Sequence, residues 1–115
     1  METLTINILN IVGDSFCVEA DDGQKVYELV SKALAAKRKI MLSFLNVEML
    51  TTAFLNTAVG QLYKDFSEEE VKMYLSVKDI SQSGAVALKR VVETAKLYYK
   101  NPNAMQESIN LILED

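Results

Sequence analysis

Residues 4–12 (LTINILNIV) are rich in branched side chains, with Leu4, Ile6, Ile8 and Asn10 in step, a pattern that predicts a β-strand. Gly13-Asp14 reads as a turn and residues 15–19 as a second short strand, so the two are expected to pair as a hairpin. Asp21-Asp22-Gly23 reads as a break that caps a helix over residues 24–37. There Val26, Leu29, Val30, Ala33 and Leu34 recur at helical spacing. Residues 40–45 are apolar except Ser43, as in a strand covered on both faces. A helix between strands predicts a right-handed crossover onto a parallel neighbour.

Beyond that strand, residues 52–64 form an amphipathic helix pattern. Phe54, Leu55, Ala58, Val59, Leu62 and Tyr63 share one half of its circumference, and Asn56, Thr57, Gly60, Gln61 and Lys64 take the other. Ser67 with Glu70 matches a capping box, and the helix it opens must be short because residues 73–77 (MYLSV) already read as a strand. Ser81 or Ser83 can cap a third helix that runs to about residue 100, where Asn101-Pro102 ends it. A last helix, capped by Asn103, is predicted from the stripe Met105, Ile109, Ile112 and Leu113. That stripe is expected to dock on the domain, with a dimer or a partner helix as the alternative. Together these elements predict an α/β fold in a single domain over residues 1–115. It is a small layer of about four strands, an N-terminal hairpin plus parallel strands, with helices on one face and an additional C-terminal helix.

Composition narrows the chemistry. With a net charge of −4 the chain lacks the basic field that a general nucleic-acid binder needs. The one basic cluster, Lys37-Arg38-Lys39, follows a predicted helix, where cations meet exposed carbonyls. There is no histidine, which removes the commonest general base and the commonest zinc ligand, and Cys17 is the only cysteine. Neither a metal, a cofactor nor an enzymatic activity is expected. No apolar run is long enough to span a membrane and the start lacks a signal-peptide pattern, so a cytoplasmic location is expected.

One segment looks different. Residues 39–66 combine the buried strand, a polar loop (Asn46 to Leu50), Thr51-Thr52 and the amphipathic helix. Ligands of α/β sheets bind beyond the carboxyl ends of strands, and the first amides of a helix have no intrahelical partner. A phosphate, bound or attached at a hydroxyl, would be stabilised there, while the simpler role for Thr51 or Thr52 is an N-cap. Glu48 is the loop's only acid, so no carboxylate pair is available for acid/base work.

The order of elements and the run LSFLNVEMLTTAFLNTAVGQLY resemble the STAS domain of sulfate transporters and anti-sigma-factor antagonists. The closer resemblance is to a divergent bacterial branch of STAS-like domains of unknown function, over about residues 4–100. In STAS proteins a buried strand leads through a valine-containing loop to an Asp-Ser-Ser-Gly-type step, whose second hydroxyl is the usual phosphoacceptor. The resemblance puts Thr51 at the acidic position, Thr52 at the first hydroxyl, Ala53 at the acceptor and Phe54 at the glycine. The usual acceptor is thus lost, and Thr52 is the candidate substitute. The resemblance implies a regulatory module that binds a protein partner, anti-sigma-factor-like or a histidine-kinase-like ATPase. The surface it implies comprises Asn46, Glu48, Thr51, Thr52, Asn56, Gly60, Gln61 and Lys64. A homodimer stays open. The alternative is a nucleotide- or phosphate-binding module at the Thr51-Thr52 helix start.

Overall fold

The computed structural model describes residues 3–100. In chain order the elements are β1 (Leu4–Asn7), α1 (Ile8–Val12), β2 (Phe16–Cys17), α2 (Ala20–Ala35), β3 (Ile40–Ser43) and β4 (Met49–Leu50). There follow α3 (Thr52–Leu55), a π-helical turn (Asn56–Gly60), α4 (Leu62–Asp65), α5 (Glu68–Tyr74), β5 (Leu75–Lys78) and α6 (Gln82–Lys100). The predicted C-terminal helix and its apolar stripe lie outside the described residues.

The fold is α/β, with its strands parallel in two small sheets. One has the order β1-β3-β5 and the other joins β2 to β4. The expected N-terminal hairpin is not formed. β1 pairs with β3 in the register Leu4↔Ile40 and β2 pairs with β4 in the register Phe16↔Met49, both parallel. Residues 8–12, read as strand, are helical. Ile8, Ile11 and Val12 fit helical spacing as well as they fit alternation, and Ile8 is completely buried. Gly13 decides between the two. At φ 80° it adopts the left-handed conformation that closes a helix, and its N–H donates to the Leu9 carbonyl at 2.8 Å.

In the larger sheet Ile6 and Leu42 face the core, while Thr5 and Ser76 on the opposite face are exposed. One face is therefore covered. Met41, flanked by Thr5 and Ser76, is half-buried, so β3 falls short of the fully covered strand predicted for it.

α2 begins at Ala20, so Asp21-Asp22-Gly23 forms its first turn instead of a break. Val26, Val30, Ala33 and Leu34 are buried as the spacing predicts, and Leu29 is exposed. At its far end Lys37 is left-handed (φ 58°), Lys37 N–H donates to the Leu34 carbonyl at 3.0 Å and Arg38 N–H to the Ala33 carbonyl at 2.9 Å. The basic cluster thus closes a helix. The capping box is formed, with Glu70 N–H on Ser67 Oγ and Ser67 N–H on Glu70 Oε1, each at 3.1 Å. Ser81, not Ser83, caps α6 by accepting from Gly84 N–H at 3.0 Å.

The helical run from α3 to α4 packs between α2 and α6 and supplies Phe54, Leu55, Ala58, Val59 and Leu62 to the core. Its approach to α2 is set by Gly23. A Cβ there would lie 2.6 Å from the Phe54 carbonyl oxygen and 3.0 Å from Thr57 Cβ. The glycine that resembled punctuation is a contact point. Gly23→Ala gains helix propensity of up to ~1 kcal/mol but forces backbone apart, at a cost of about 1–3 kcal/mol. We expect its thermal midpoint to fall; a higher midpoint than wild type would contradict the close crossing.

Candidate functional site

The loop that leaves β3 is braced on every side. Phe44 N–H donates to the Lys78 carbonyl at 3.0 Å, and Val47 N–H to the Phe44 carbonyl at 3.0 Å, closing a β-turn. Asn46 sits in that turn at φ 63°, a conformation asparagine tolerates better than most residues. Buried Ser43 supports the turn from beneath: its hydroxyl accepts from Leu45 N–H at 3.3 Å and donates to Asp79 Oδ2 at 3.1 Å.

Beyond the turn the loop is stitched to residues 15–18. Glu48 N–H donates to the Ser15 carbonyl at 2.9 Å, and Ser15 Oγ donates to Glu48 Oε2 at 2.8 Å. Thr51 N–H donates to the Cys17 carbonyl at 3.2 Å. Thr51 Oγ1 donates to the Val18 carbonyl at 2.7 Å and accepts from Phe54 N–H at 3.1 Å. Thr51 is therefore the N-cap of α3 and also a tie between β2 and β4. Its hydroxyl is fully used, and it fills the position at the Phe54 amide that an anion oxygen would take. Thr52, one step on, is exposed.

Seven of the eight residues expected to share one surface divide into two groups, and Lys64 lines neither cavity. Asn46, Glu48, Thr51 and Thr52 lie at the loop and helix start. A cleft of about 110 Å³ beside them is lined by Phe44, Val47, Glu48 and Leu50 together with Ser81 and Gly84 at the start of α6. Asn56, Gly60 and Gln61 instead line a groove with Ala95, Tyr98 and Tyr99 at the other end of α6. Gly84 and Ala95 are eleven residues apart on that helix, roughly 16 Å at the helical rise.

Gly60 is buried, which corrects its expected place on an outward face; a Cβ there would stand 3.3 Å from Val91 Cγ1. Gln61 is half-buried and donates from Nε2 to Gln24 Oε1 at 2.9 Å and to the Thr57 carbonyl at 2.7 Å. Asn56 and Lys64 are exposed.

Three residues at the loop were not singled out from the sequence. Phe16 and Met49 are register partners in the small sheet, each about half exposed, and Leu45 on the turn is exposed to the same degree. No sequence signal marked them, because strands of two residues carry no period; in the fold Cys17 is buried and Leu50 half-buried, which turns Phe16 and Met49 outward. Large side chains left side by side in water mark surfaces that another molecule covers.

Reactive groups are sparse. Burial, aided by Asp22 and Asp14, pushes the Cys17 thiol up from 9.0 to about 11, so the thiolate needed for nucleophilic chemistry is suppressed near neutrality. The hydrogen bond to Asp65 (2.5 Å) pushes Tyr27 up to about 12. Among the described residues no group of His, Cys, Asp and Glu is placed to hold a metal ion, and no helix is long and apolar enough to cross a membrane.

Two measurements check this geometry. Thr51→Ala removes a cap and a cross-strand tie, so it should cost about 1–2 kcal/mol in denaturant unfolding. Thr52→Ala should stay within about 0.5 kcal/mol, and the reverse order would refute the assignment. A raised thiol pKa in the folded state favours folding below pH 9.0 and loses that contribution as pH climbs toward about 11. Unfolding free energy should therefore decline over that window, and less steeply in Cys17→Ala; identical slopes would contradict the buried thiol.

A family model described as a STAS-like domain of unknown function matches residues 22–85. The matched stretch runs from the first turn of α2 through the loop and the π-helical turn to the first turn of α6. No curated protein and no solved structure matches the chain.

Proposed function

The chain belongs to that STAS-like family, and from this premise we propose that it is a non-enzymatic regulatory module that binds a protein partner through the loop at residues 44–52. One observation carries the reading: Met49 on the loop and its register partner Phe16 on β2 stand exposed side by side, and the loop is fixed by backbone hydrogen bonds. A rigid patch loses little conformational entropy on association, so its apolar area contributes more fully to affinity. The partner class that fits best is the one the resemblance implies, an anti-sigma-factor-like protein or a histidine-kinase-like ATPase in the cytoplasm of a bacterium.

Within this reading Thr52 is the phosphoacceptor candidate, because it is exposed whereas the Thr51 hydroxyl is committed to Val18 and Phe54. A phosphate on Thr52 would add about two negative charges to a segment that already carries Glu48 and exposed Met49, and would weaken docking by desolvation and repulsion. The nucleotide- or phosphate-binding alternative has less support. Thr51 already occupies the Phe54 amide, and Glu48 puts a like charge close by in the loop.

Affinity capture from the native cell, followed by mass spectrometry, tests the proposal. A partner held by the full chain should be lost in Met49→Asp and in Thr52→Glu and kept in Lys64→Asp. Retention of every captured protein by both loop variants would show that the surface is wrong.

A further inference from the structure

The groove at the far end of α6 is separate from the loop. It has a volume of about 180 Å³ between Asn56, Gly60 and Gln61 on one side and Ala95, Tyr98 and Tyr99 on the other. Buried Gly60 lines it without a side chain, and Tyr98, which also lines it, is exposed. We propose that this groove is covered by residues 105–113 of the same chain, and that the Asn56-Gly60-Gln61 face is therefore an internal contact and not part of the partner surface.

Three facts favour that occupant. Reach is the first. The groove lies along the last two turns of α6, and Lys100 hands the chain on from the same end of that helix. Residues 101–104 extend up to about 13 Å, enough to reverse direction, and the Asn101-Pro102 step opposes continuation of α6.

Apolar pattern is the second. Met105, Ile109, Ile112 and Leu113 recur at the spacing that puts side chains in one row, and aromatic rims suit aliphatic and thioether groups. Charge is the third. α6 carries Lys89, Arg90, Lys96 and Lys100 against the single acid Glu93, Lys96 being already bonded to Glu68 at 2.8 Å, while residues 101–115 carry Glu107, Glu114 and Asp115 and no cation. A tethered segment also binds at a high effective concentration, so a modest groove can hold it.

Paramagnetic NMR on the full chain tests the inference. A nitroxide placed at Ser108→Cys reports on its neighbours, and Cys17 does not compete for the label because it is fully buried. The proposal predicts loss of the amide signals of Gly60, Gln61 and Ala95, with those of Phe16 and Met49 unaffected. Adding Ile109→Asp and Ile112→Asp to the labelled chain should restore them. Signals lost at the loop, or at no site, would overturn the proposal. So would losses seen only when labelled chain is mixed with isotopically enriched unlabelled chain, since a second copy would then be the occupant. Partner capture at the loop is read separately, so failure of either proposal leaves the other standing.

Discussion

The close crossing of α2 over the α3 helix start is the constraint on which the rest of the structure depends. Gly23 brings backbone against the Phe54 carbonyl, with no room for a methyl group. That contact fixes where α3 begins. Thr51 can then cap the helix and reach the Val18 carbonyl with the same hydroxyl. Through Thr51 the small β2-β4 sheet is tied to the core, and through Ser15 the loop at Glu48 is tied to that sheet. Phe54, completely buried below the crossing, holds the arrangement from inside.

The loop owes its shape to this chain of contacts and not to glycine. Asn46 supplies the one left-handed residue it needs, Ser43 and Asp79 brace the turn, and main-chain bonds to residues 15 and 17 hold the rest. The same construction leaves Phe16 and Met49 outside, since their neighbours Cys17 and Leu50 turn inward, and Leu45 lies exposed on the turn. A surface of this kind suits binding.

Much of this was legible wherever a pattern was long or a cap was explicit. The inward positions of the 52–64 run and the Ser67 box follow from spacing and residue type, and the resemblance of the central segment to STAS-like domains agrees with the family match over residues 22–85. The misreadings arose at short elements. Residues 8–12 satisfy both periods, and only Gly13's left-handed closure selects helix. Strands of two residues, β2 and β4, carry no period, so their parallel pairing depended on tertiary context that sequence does not display. Gly23 and Gly60 were ambiguous for a related reason. A glycine signals either a turn or a close approach, and which one depends on the neighbouring helix. The division of the expected surface into two also needed the third dimension, because the loop residues lie by the start of α6 and Asn56, Gly60 and Gln61 by its far end.

The central claim is that the loop is a pre-organised element and not a mobile one, and native-state hydrogen exchange addresses it most directly. The amides of Glu48, Thr51 and Phe54, bonded to Ser15, Cys17 and the Thr51 hydroxyl, report on the three ties that hold it. All three should exchange as slowly as the amides of β3, through opening of the whole domain. Exchange of these amides at rates typical of an open loop, while β3 remains protected, would contradict it.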